Sequence, residues 1–526
     1  MDETRKLNYW PAFVLPIIIC LAHFIILAYL ANRHPIGNFA TETDFYHFYA
    51  PDAERISHGQ FPTNTFQGPG YPALLALITK LTGSDIFAAG KWLSVIGAVI
   101  CGLLVFLLFG RLFGYWIGIG AQAIAIVSGE FPQFSLNATT DVLFLLLCLL
   151  ALVIFIYPWF TMRLRVGIGG VLCGLAYLTR YNGVFLLLAF IIGILFLNLF
   201  EQNRRLRYQL TAIVLLTFLV TVSPWLYANY RNRGSLFYNT NYLNLATEFY
   251  PELVAGKTNQ DGTRALEQKF QSTADVLRYD PVRVISHYPL NLYETLRLSV
   301  WDSLVEELVG LLALLGIILV LIKRRSKYLA FILITGAIYI LMIALTHWET
   351  RYCFFVMTLY SGLAVYAATQ FTELLRSRGV KVKKLLGAAI PVFMVTVMWA
   401  LSFAESRLDV ERFLAGHPLE ILAARDYLSG VNPQGRRMRI VARKPHLPYL
   451  SHNEWIFFPQ VKSIDELRLW VEDNEIDYIA IGRRELKERK ELTPLGDPKN
   501  APRWLKAVWV NEDPVFILYK PENKAE

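Results

Sequence analysis

Several charged side chains stand next to long apolar segments, where a charge raises the free energy unless it is solvated, paired or functional. Glu42 and Asp44 follow the first such segment, Asp141 begins another, and Arg180 ends a third. A carboxylate can accept a proton from an incoming hydroxyl or help to hold a divalent cation. A guanidinium can bind a phosphate through two parallel hydrogen bonds. These residue types in this setting indicate acid–base chemistry beside a phosphate group.

Each of these side chains also has a purely structural explanation, which the sequence alone leaves open. Glu42 and Asp44 are compatible with solvated loop acids, and Asp141 with the ~0.3–1 kcal/mol that a negative charge gains at a helix N-terminus. Arg180 is compatible with a long side chain that extends from the membrane to its interface. Its segment is short, however, because about fourteen residues cover roughly 21 Å of a ~30 Å hydrocarbon core. This shortness predicts that Arg180 lies at the outer membrane boundary.

Further candidates lie at other outer segment ends. Arg231 and Arg351 are predicted to bind phosphate together with Arg180, although Arg351 is equally suited to pairing with Glu349. His347 and Glu349 are of metal-ligand type, but two ligands do not make a site. Whether a divalent metal is bound is therefore left open. The aromatic residues expected to flank the same outward-facing cavity, where sugars pack well, are Tyr46, Tyr49, Tyr71, Trp225 and Tyr352.

The elements that must position these residues are membrane helices. Of the 526 residues, 55% are hydrophobic and 18% are charged, whereas soluble domains are nearer a quarter charged. Apolar runs such as Val142–Ile156 are too long for ordinary core strands. The sequence predicts about eleven spans, at Trp10–Leu30, Ile86–Phe109, Tyr115–Phe131, Thr139–Tyr157, Val166–Thr179, Gly183–Phe200, Gln209–Tyr227, Leu304–Ile322, Tyr328–Thr346, Tyr352–Phe371 and Leu385–Ser402.

Positive charge in the short connections predicts the orientation of these spans. Arg and Lys gather in alternate connections, which places the N-terminus in the cytoplasm. We interpret Val166–Phe200 as two short spans that turn at Arg180, because a single long span would reverse this pattern. Loops 31–85 and 228–303 and the tail 403–526 then face outward. The net charge of +9 reflects the same cytoplasmic runs, so no nucleic-acid partner is predicted.

The tail has the composition of a soluble domain. Apparent helices alternate with apparent strands, which predicts a small α/β unit. The helices are expected at Pro418–Ser429 and Ser463–Asn474, and the strands at Arg439–Ala442, Tyr478–Gly482 and Val515–Tyr519. The predicted fold is mainly α and polytopic over residues 1–402, followed by an extracytoplasmic α/β domain over residues 403–526.

Short motifs in a particular order carry a resemblance that covers nearly the whole chain. They are Asp44 with Tyr49-Ala50 and Gly59, Gly70-Tyr71-Pro72, Thr140-Asp141, Leu178-Thr179-Arg180-Tyr181, Pro224-Trp225 with Arg231-Asn232 and Gly234, Arg351-Tyr352, and Ile476-Asp477-Tyr478-Ile479. In these motifs the chain resembles the GT-C fold glycosyltransferases that use polyprenyl-phosphate-linked sugars. More narrowly, it is similar to prokaryotic relatives of protein O-mannosyltransferases and of lipid A aminoarabinose transferases. The mannosyltransferases usually have an Asp-Glu pair in the first loop, whereas Phe45 follows Asp44 here.

The resemblance implies an enzyme of the cell (inner) membrane that moves a sugar, with inversion, from a polyprenyl phosphate to a lipid, glycan or protein acceptor on the outer face. Asp44 would be the catalytic base and Asp141 would support it. Arg180, Arg231 and Arg351 would neutralise the departing phosphate. Two other functions stay open: a transporter or flippase of a polyprenyl-linked glycan, and a membrane anchor for a binding tail.

Overall fold

The computed structural model describes residues 11–200, 203–257, 259–301, 304–323, 326–346, 348–377, 383–431 and 435–522. The chain is mainly helical within these ranges. The helices are α1 Pro11–Ala31, α2 Ala50–Ser57, α3 Gly70–Thr82, α4 Ile86–Phe113, α5 Tyr115–Ala125, α6 Phe131–Phe134, α7 Asp141–Ile156, α8 Met162–Thr179, α9 Val184–Leu195, α10 Arg204–Arg233, α11 Tyr242–Phe249, α12 Asn259–Lys269, α13 Thr273–Tyr279, α14 Pro281–Trp301, α15 Glu307–Lys323, α16 Lys327–Ile343, α17 Phe354–Ser377, α18 Lys384–Ala415, α19 Glu420–Val431, α20 His446–Leu450, α21 Ile464–Asp473 and α22 Arg483–Glu488.

The long helices identify a multi-pass membrane protein. Within the described ranges, six helical stretches are long and apolar enough to cross a membrane, namely Ala12–Ala31, Ile86–Phe113, Met162–Thr179, Arg204–Arg233, Thr350–Glu373 and Leu385–Val431. Every predicted span overlaps a helix within the described ranges, although some of these helices are shorter than the predicted span. The predicted hairpin is present: α8 ends at Thr179, a 3-10 turn covers Tyr181–Gly183, and α9 follows. The polytopic α-helical prediction is therefore confirmed.

The chain forms two compact units, residues 1–33 with 52–412, and residues 34–51 with 413–526. The first unit contains the long apolar helices. Its interior helix α7 is buried on almost every side, with Leu149 and Leu152 fully inaccessible. In contrast, α1 exposes Leu21 and Ile25, at 56% and 66% of their surfaces. Water would make such exposure unfavourable, whereas lipid covers it without cost.

The second unit is built around a five-stranded mixed sheet in the order β2-β1-β3-β5-β4. The strands are β1 Arg439–Val441, β2 Glu454–Ile456, β3 Tyr478–Gly482, β4 Leu505–Asn511 and β5 Phe516–Pro521. β1 pairs in parallel with β2 and β3, and β5 pairs antiparallel with β3 and β4. The apolar core beneath the sheet includes Val441, Leu467, Ile479 and Ile517. The predicted α/β character is confirmed; β2 and β4 are strands that the sequence analysis did not predict.

Candidate active site

A buried ion pair joins Arg180 to Asp141 in the first unit. Asp141 is the first residue of α7, and Arg180 follows the last residue of α8 with an extended backbone. The Arg180 side chain donates from Nη1 to Oδ1 of Asp141. The carboxylate is 1% exposed and the arginine side chain 18%. Asp141 Oδ2 is buried and has no hydrogen-bond partner among the described residues, so the carboxylate is committed to orienting Arg180.

A second arginine shares an aromatic platform with this pair. The Arg180 guanidinium lies 4.4 Å from the centroid of the Tyr352 ring, and that of Arg351 lies 5.0 Å from it. Arg351 also donates through Nε to the carboxylate of Glu349, which confirms the alternative pairing considered from the sequence. Asp141 is close enough to interact electrostatically with Arg351 as well. Two cations and two carboxylates therefore meet around Tyr352 at the ends of three separate apolar segments.

This arrangement of charged groups is suited to binding an anionic ligand such as a phosphate. Arginine carries five N–H donors, so a guanidinium can bond a carboxylate on one edge and a phosphate on another. The side chain of Arg351 is 15% exposed and that of Arg180 18%, so neither is sealed from an incoming ligand. In a site with little water, electrostatic attraction between such groups and a phosphate is much stronger than in bulk solvent.

A glycine-containing loop lies against the backbone beside Arg180. A Cβ placed on Gly68 would come 1.9 Å from the carbonyl oxygen of Leu178, so only glycine permits this contact. The Tyr181 hydroxyl donates to the carbonyl of Gln67 at 3.2 Å. The turn cluster in the first loop therefore sets the position of the chain on both sides of Arg180.

The predicted acids of the first loop belong to the second unit. Glu42 is fully buried, bonded to His34 Nε2 at 3.0 Å and accepting from the Asn38 backbone N–H at 2.9 Å. These bonds give Glu42 a structural task, the folding of its own loop. Asp44 is half-buried at the start of the turn Phe45–Tyr49 and interacts with Lys444. Of these two acids, Asp44 is thus the more exposed.

Lys444 gives the surroundings of Asp44 a positive field. Burial and the neighbouring Arg443 lower the pKa of Lys444, whereas Asp44 opposes that shift. Burial also lowers the pKa of His47 to about 4, with a further contribution from Lys444. Lys444 is therefore a cationic neighbour of Asp44 within electrostatic range.

The remaining candidates are distributed as follows. Tyr49 and Tyr71 are buried, at 4% and 0% exposure, and pack within the protein. Arg231 is exposed near the C-terminal end of α10. His347 lies outside the described residues. No group of three or more His, Cys, Asp or Glu side chains within the described ranges is arranged to hold a metal ion.

Tyr339 is a site residue that the sequence analysis missed. It lies inside α16, is 1% exposed, and donates its hydroxyl to the backbone carbonyl of Tyr352. Through this bond it holds the ring on which Arg180 and Arg351 lie. The presence of a tyrosine inside a predicted apolar span could have indicated this role, because a buried hydroxyl needs a hydrogen-bond partner.

With this geometry established, comparisons with known proteins identify the fold. Residues 66–227 match the family described as dolichyl-phosphate-mannose-protein mannosyltransferase. No curated protein matches the chain. The oligosaccharyltransferase AglB from Archaeoglobus fulgidus, solved with an inhibitory peptide and a dolichol-phosphate, is similar with a TM-score of 0.60 at 14% identity, over 91% of this chain and 70% of AglB. ArnT from Cupriavidus metallidurans, bound to undecaprenyl phosphate, is similar with a TM-score of 0.55 at 11% identity, over 95% of this chain and 97% of ArnT.

These likenesses establish a fold of the GT-C type. At 11% and 14% identity these similarities show the fold but do not identify the substrate. The family match adds sequence evidence over the segment that contains Gly68, Asp141 and Arg180. The resemblance predicted from the motifs is confirmed at the level of the fold, and the family match supports it over residues 66–227, which are less than a third of the chain.

Proposed function

We propose that the chain transfers a sugar from a polyprenyl-phosphate donor to a lipid, glycan or protein acceptor on the outer face of the membrane. The observation that carries this proposal is the cluster in which Arg180 and Arg351 share the ring of Tyr352 beside Asp141. The cluster is suited to a phosphate at the boundary of an apolar helical bundle, and its fold supports a lipid-linked donor.

The proposed reaction is a single displacement at the anomeric carbon. An acceptor oxygen attacks that carbon, the bond from carbon to the phosphate oxygen breaks, and the configuration inverts. Negative charge develops on the leaving polyprenyl phosphate, where Arg180 and Arg351 stabilise it. Preorganised charges of this kind usually provide the largest single contribution to catalysis.

Asp44 is proposed as the base that takes the proton from the acceptor hydroxyl. General bases typically contribute about 10²–10⁴-fold to a rate. Asp141 is proposed as a positioning residue, because its one bonded oxygen is committed to Arg180. Arg231 is proposed to assist with the phosphate or with the lipid headgroup, in keeping with its exposure at the end of α10.

The orientation is proposed from the loop charges. We propose that the N-terminus is cytoplasmic in the cell membrane and that the region after about residue 403 is extracytoplasmic, so that Asp44 and the sheet share the outer side. Positive charge in cytoplasmic connections is the physical basis of this assignment. Cysteine labelling with a membrane-impermeant reagent at loop positions tests it, and labelling of the 204–207 connection in intact cells would contradict it.

Reconstituted full-length protein tests the reaction. Proteoliposomes are given radiolabelled polyprenyl-phosphate sugars together with an extract of membrane glycoconjugates, and both transfer and movement across the bilayer are measured. Asp44→Asn is expected to lower the transfer rate about a hundredfold or more, the lower end of the usual contribution of a general base. Arg278→Gln, at an exposed arginine of α13, is the matched control and should transfer at the wild-type rate.

The same assay separates the alternatives. The matched family is named a mannosyltransferase and AglB an oligosaccharyltransferase, so neither name favours a flippase. Movement of the labelled lipid without transfer would nevertheless replace the proposed function with transport. Full transfer by Asp44→Asn protein would remove Asp44 from the reaction.

A further inference from the structure

A cavity with two arginines in its wall lies in the first unit, lined by residues outside the Arg180 cluster. Its volume is about 440 Å³, within the ~300–1,000 Å³ typical of small-molecule sites. Arg55 and Arg233 both line it, and no acidic side chain does so among the described residues. Two guanidinium groups facing one cavity without a carboxylate favour an anionic occupant.

Both arginines have donors available for a ligand. Arg55 donates from Nε to the carbonyl of Phe61 at 3.1 Å, which orients the guanidinium and leaves its two terminal nitrogens without a protein partner among the described residues. Arg233 lies 5.6 Å from the ring centroid of Tyr238, and its guanidinium makes no hydrogen bond or ion pair to another described residue. The edges of both groups are therefore available to bond an anion.

The rest of the lining is suited to a saccharide. Phe61 is 53% exposed and Trp225 6%, and both contribute aromatic surface to the cavity. Asn232 comes from the same helix as Trp225 and provides an amide group, whereas the Asn229 amide is buried and donates to two backbone carbonyls. Aromatic faces pack against sugar rings, and amides bond hydroxyl groups as donors and acceptors. A small inorganic anion would contact the arginines but would not reach the aromatic and amide groups.

The cavity wall is held in place before any ligand binds. The buried carboxylate of Asp52 accepts from the backbone N–H of Thr63 at 2.8 Å and from that of Asn64 at 3.1 Å. Asn241 donates to the carbonyl of Phe66 at 2.6 Å. Asp52 makes these bonds and forms no ion pair with Arg55 or Arg233 in the described part of the chain. A preformed wall lowers the entropy that a ligand loses on binding.

The wall is part of the same loop that adjoins the phosphate cluster. Thr63 and Thr65 line the cavity, and a few residues later Gly68 lies against the backbone of Leu178, next to Arg180. One short segment thus borders both sites.

We propose that this cavity binds an anionic sugar unit of the acceptor, one that bears a carboxylate or a phosphate. Assignment to the acceptor rests on the proposed function, in which Arg180 and Arg351 receive the donor phosphate and leave this separate cationic site for the other substrate. Arg55 and Arg233 bond the anion, Phe61 and Trp225 pack on the ring, and the Asn232 amide recognises its hydroxyls.

Binding of simple probes tests the proposal without requiring transfer. Saturation-transfer NMR is recorded on full-length protein in nanodiscs with methyl glucuronide, glucose 6-phosphate and methyl glucoside, and empty nanodiscs provide the background. Inorganic phosphate, which has no carbon-bound protons to detect, is added as a competitor of the anionic sugars. One or both of the anionic sugars is expected to bind about tenfold more tightly than the neutral sugar, and the difference should shrink as salt screens the charges. The two anionic sugars distinguish a carboxylate from a phosphate as the recognised group.

Substitutions assign the binding to the cavity. Arg55→Gln and Arg233→Gln should each weaken binding of the anionic sugar by about tenfold or more, the usual loss for a charge-assisted hydrogen bond. Arg278→Gln should bind like the wild type. Binding of a polyprenyl phosphate, measured in parallel, should be unchanged in all three variants.

Three results would overturn the proposal: equal binding of methyl glucoside and the anionic sugars, inorganic phosphate binding as tightly as the sugars, or loss of polyprenyl-phosphate binding in the Arg55 and Arg233 variants. The last would assign the cavity to the donor. Failure of the wild type to transfer sugar would count against the proposed function alone, because the binding measurements need no donor.

Discussion

Replacing Arg180 and Asp141 singly and together separates structural pairing from a role in catalysis. Arg180→Gln leaves a carboxylate that is 1% exposed without its cation, and breaking a buried pair from one side costs about 3–5 kcal/mol. Asp141→Asn should cost less, because Arg180 keeps 18% exposure and its contact with Tyr352. The double variant carries no unpaired charge and should recover most of the lost stability.

Stability can be followed through the cysteines of the protein itself. The chain has five cysteines, all free, of which Cys101, Cys148, Cys173 and Cys353 are buried. A thiol-reactive dye therefore reports unfolding of the detergent-solubilised protein as the temperature rises. We expect both single variants to melt several degrees below the wild type, with the double variant between them and the wild type. Because the double variant is expected to lose less stability than either single variant, the coupling free energy should exceed the cost of Arg180→Gln, about 3–5 kcal/mol.

Activity should not follow stability in this series. The double variant is expected to fold yet to transfer sugar far more slowly, because loss of one group that stabilises developing charge costs about 10²–10³-fold. Wild-type transfer by the folded double variant would refute a role for Arg180 with the phosphate. Strictly additive melting shifts would refute the buried pair.

Two further perturbations have clear expected outcomes. Gly68→Ala should lower both the melting temperature and the transfer rate, because its Cβ would come 1.9 Å from the Leu178 carbonyl oxygen. Gly430→Ala is the control, since no atom lies within 4 Å of the added Cβ. Equal melting temperatures for the two variants would contradict the close contact at Gly68. His446→Gln should flatten the acid sensitivity of stability, measured as melting temperature against pH. Burial lowers the pKa of His446 to about 3, so the unfolded chain binds a proton first and the wild type should lose several kcal/mol as the pH falls from about 6.5 towards 3. Glutamine can still donate to the Asn38 carbonyl that His446 contacts at 3.0 Å, and equally steep acid profiles for both proteins would show that His446 is not the titrating group.

Much of the fold was available from the sequence, because hydropathy is a local property measured against the thickness of a bilayer. Apolar length and the charges between segments predicted the long apolar helices of the membrane part, including the turn at Arg180. Alternating apolar patterns predicted β1, β3 and β5 of the sheet. Strands β2 and β4 were missed, and β2 has only three residues, too few for a pattern to emerge.

The arrangement of the site was decided by tertiary structure. The sequence singled out Asp141, Arg180 and Arg351 as charges at span ends, but it gave no means to tell a solvated side chain from a paired one. Pairing depends on which helix ends meet, and α7 and α8 bring together residues 39 positions apart in the chain. Residues 34–51 group with residues 413–526, and no local pattern encodes an association across such a separation. The type of each charged group was thus a property of the sequence, whereas its partner was a property of the packed chain, because a charge beside lipid is stable only with the neighbour that folding supplies.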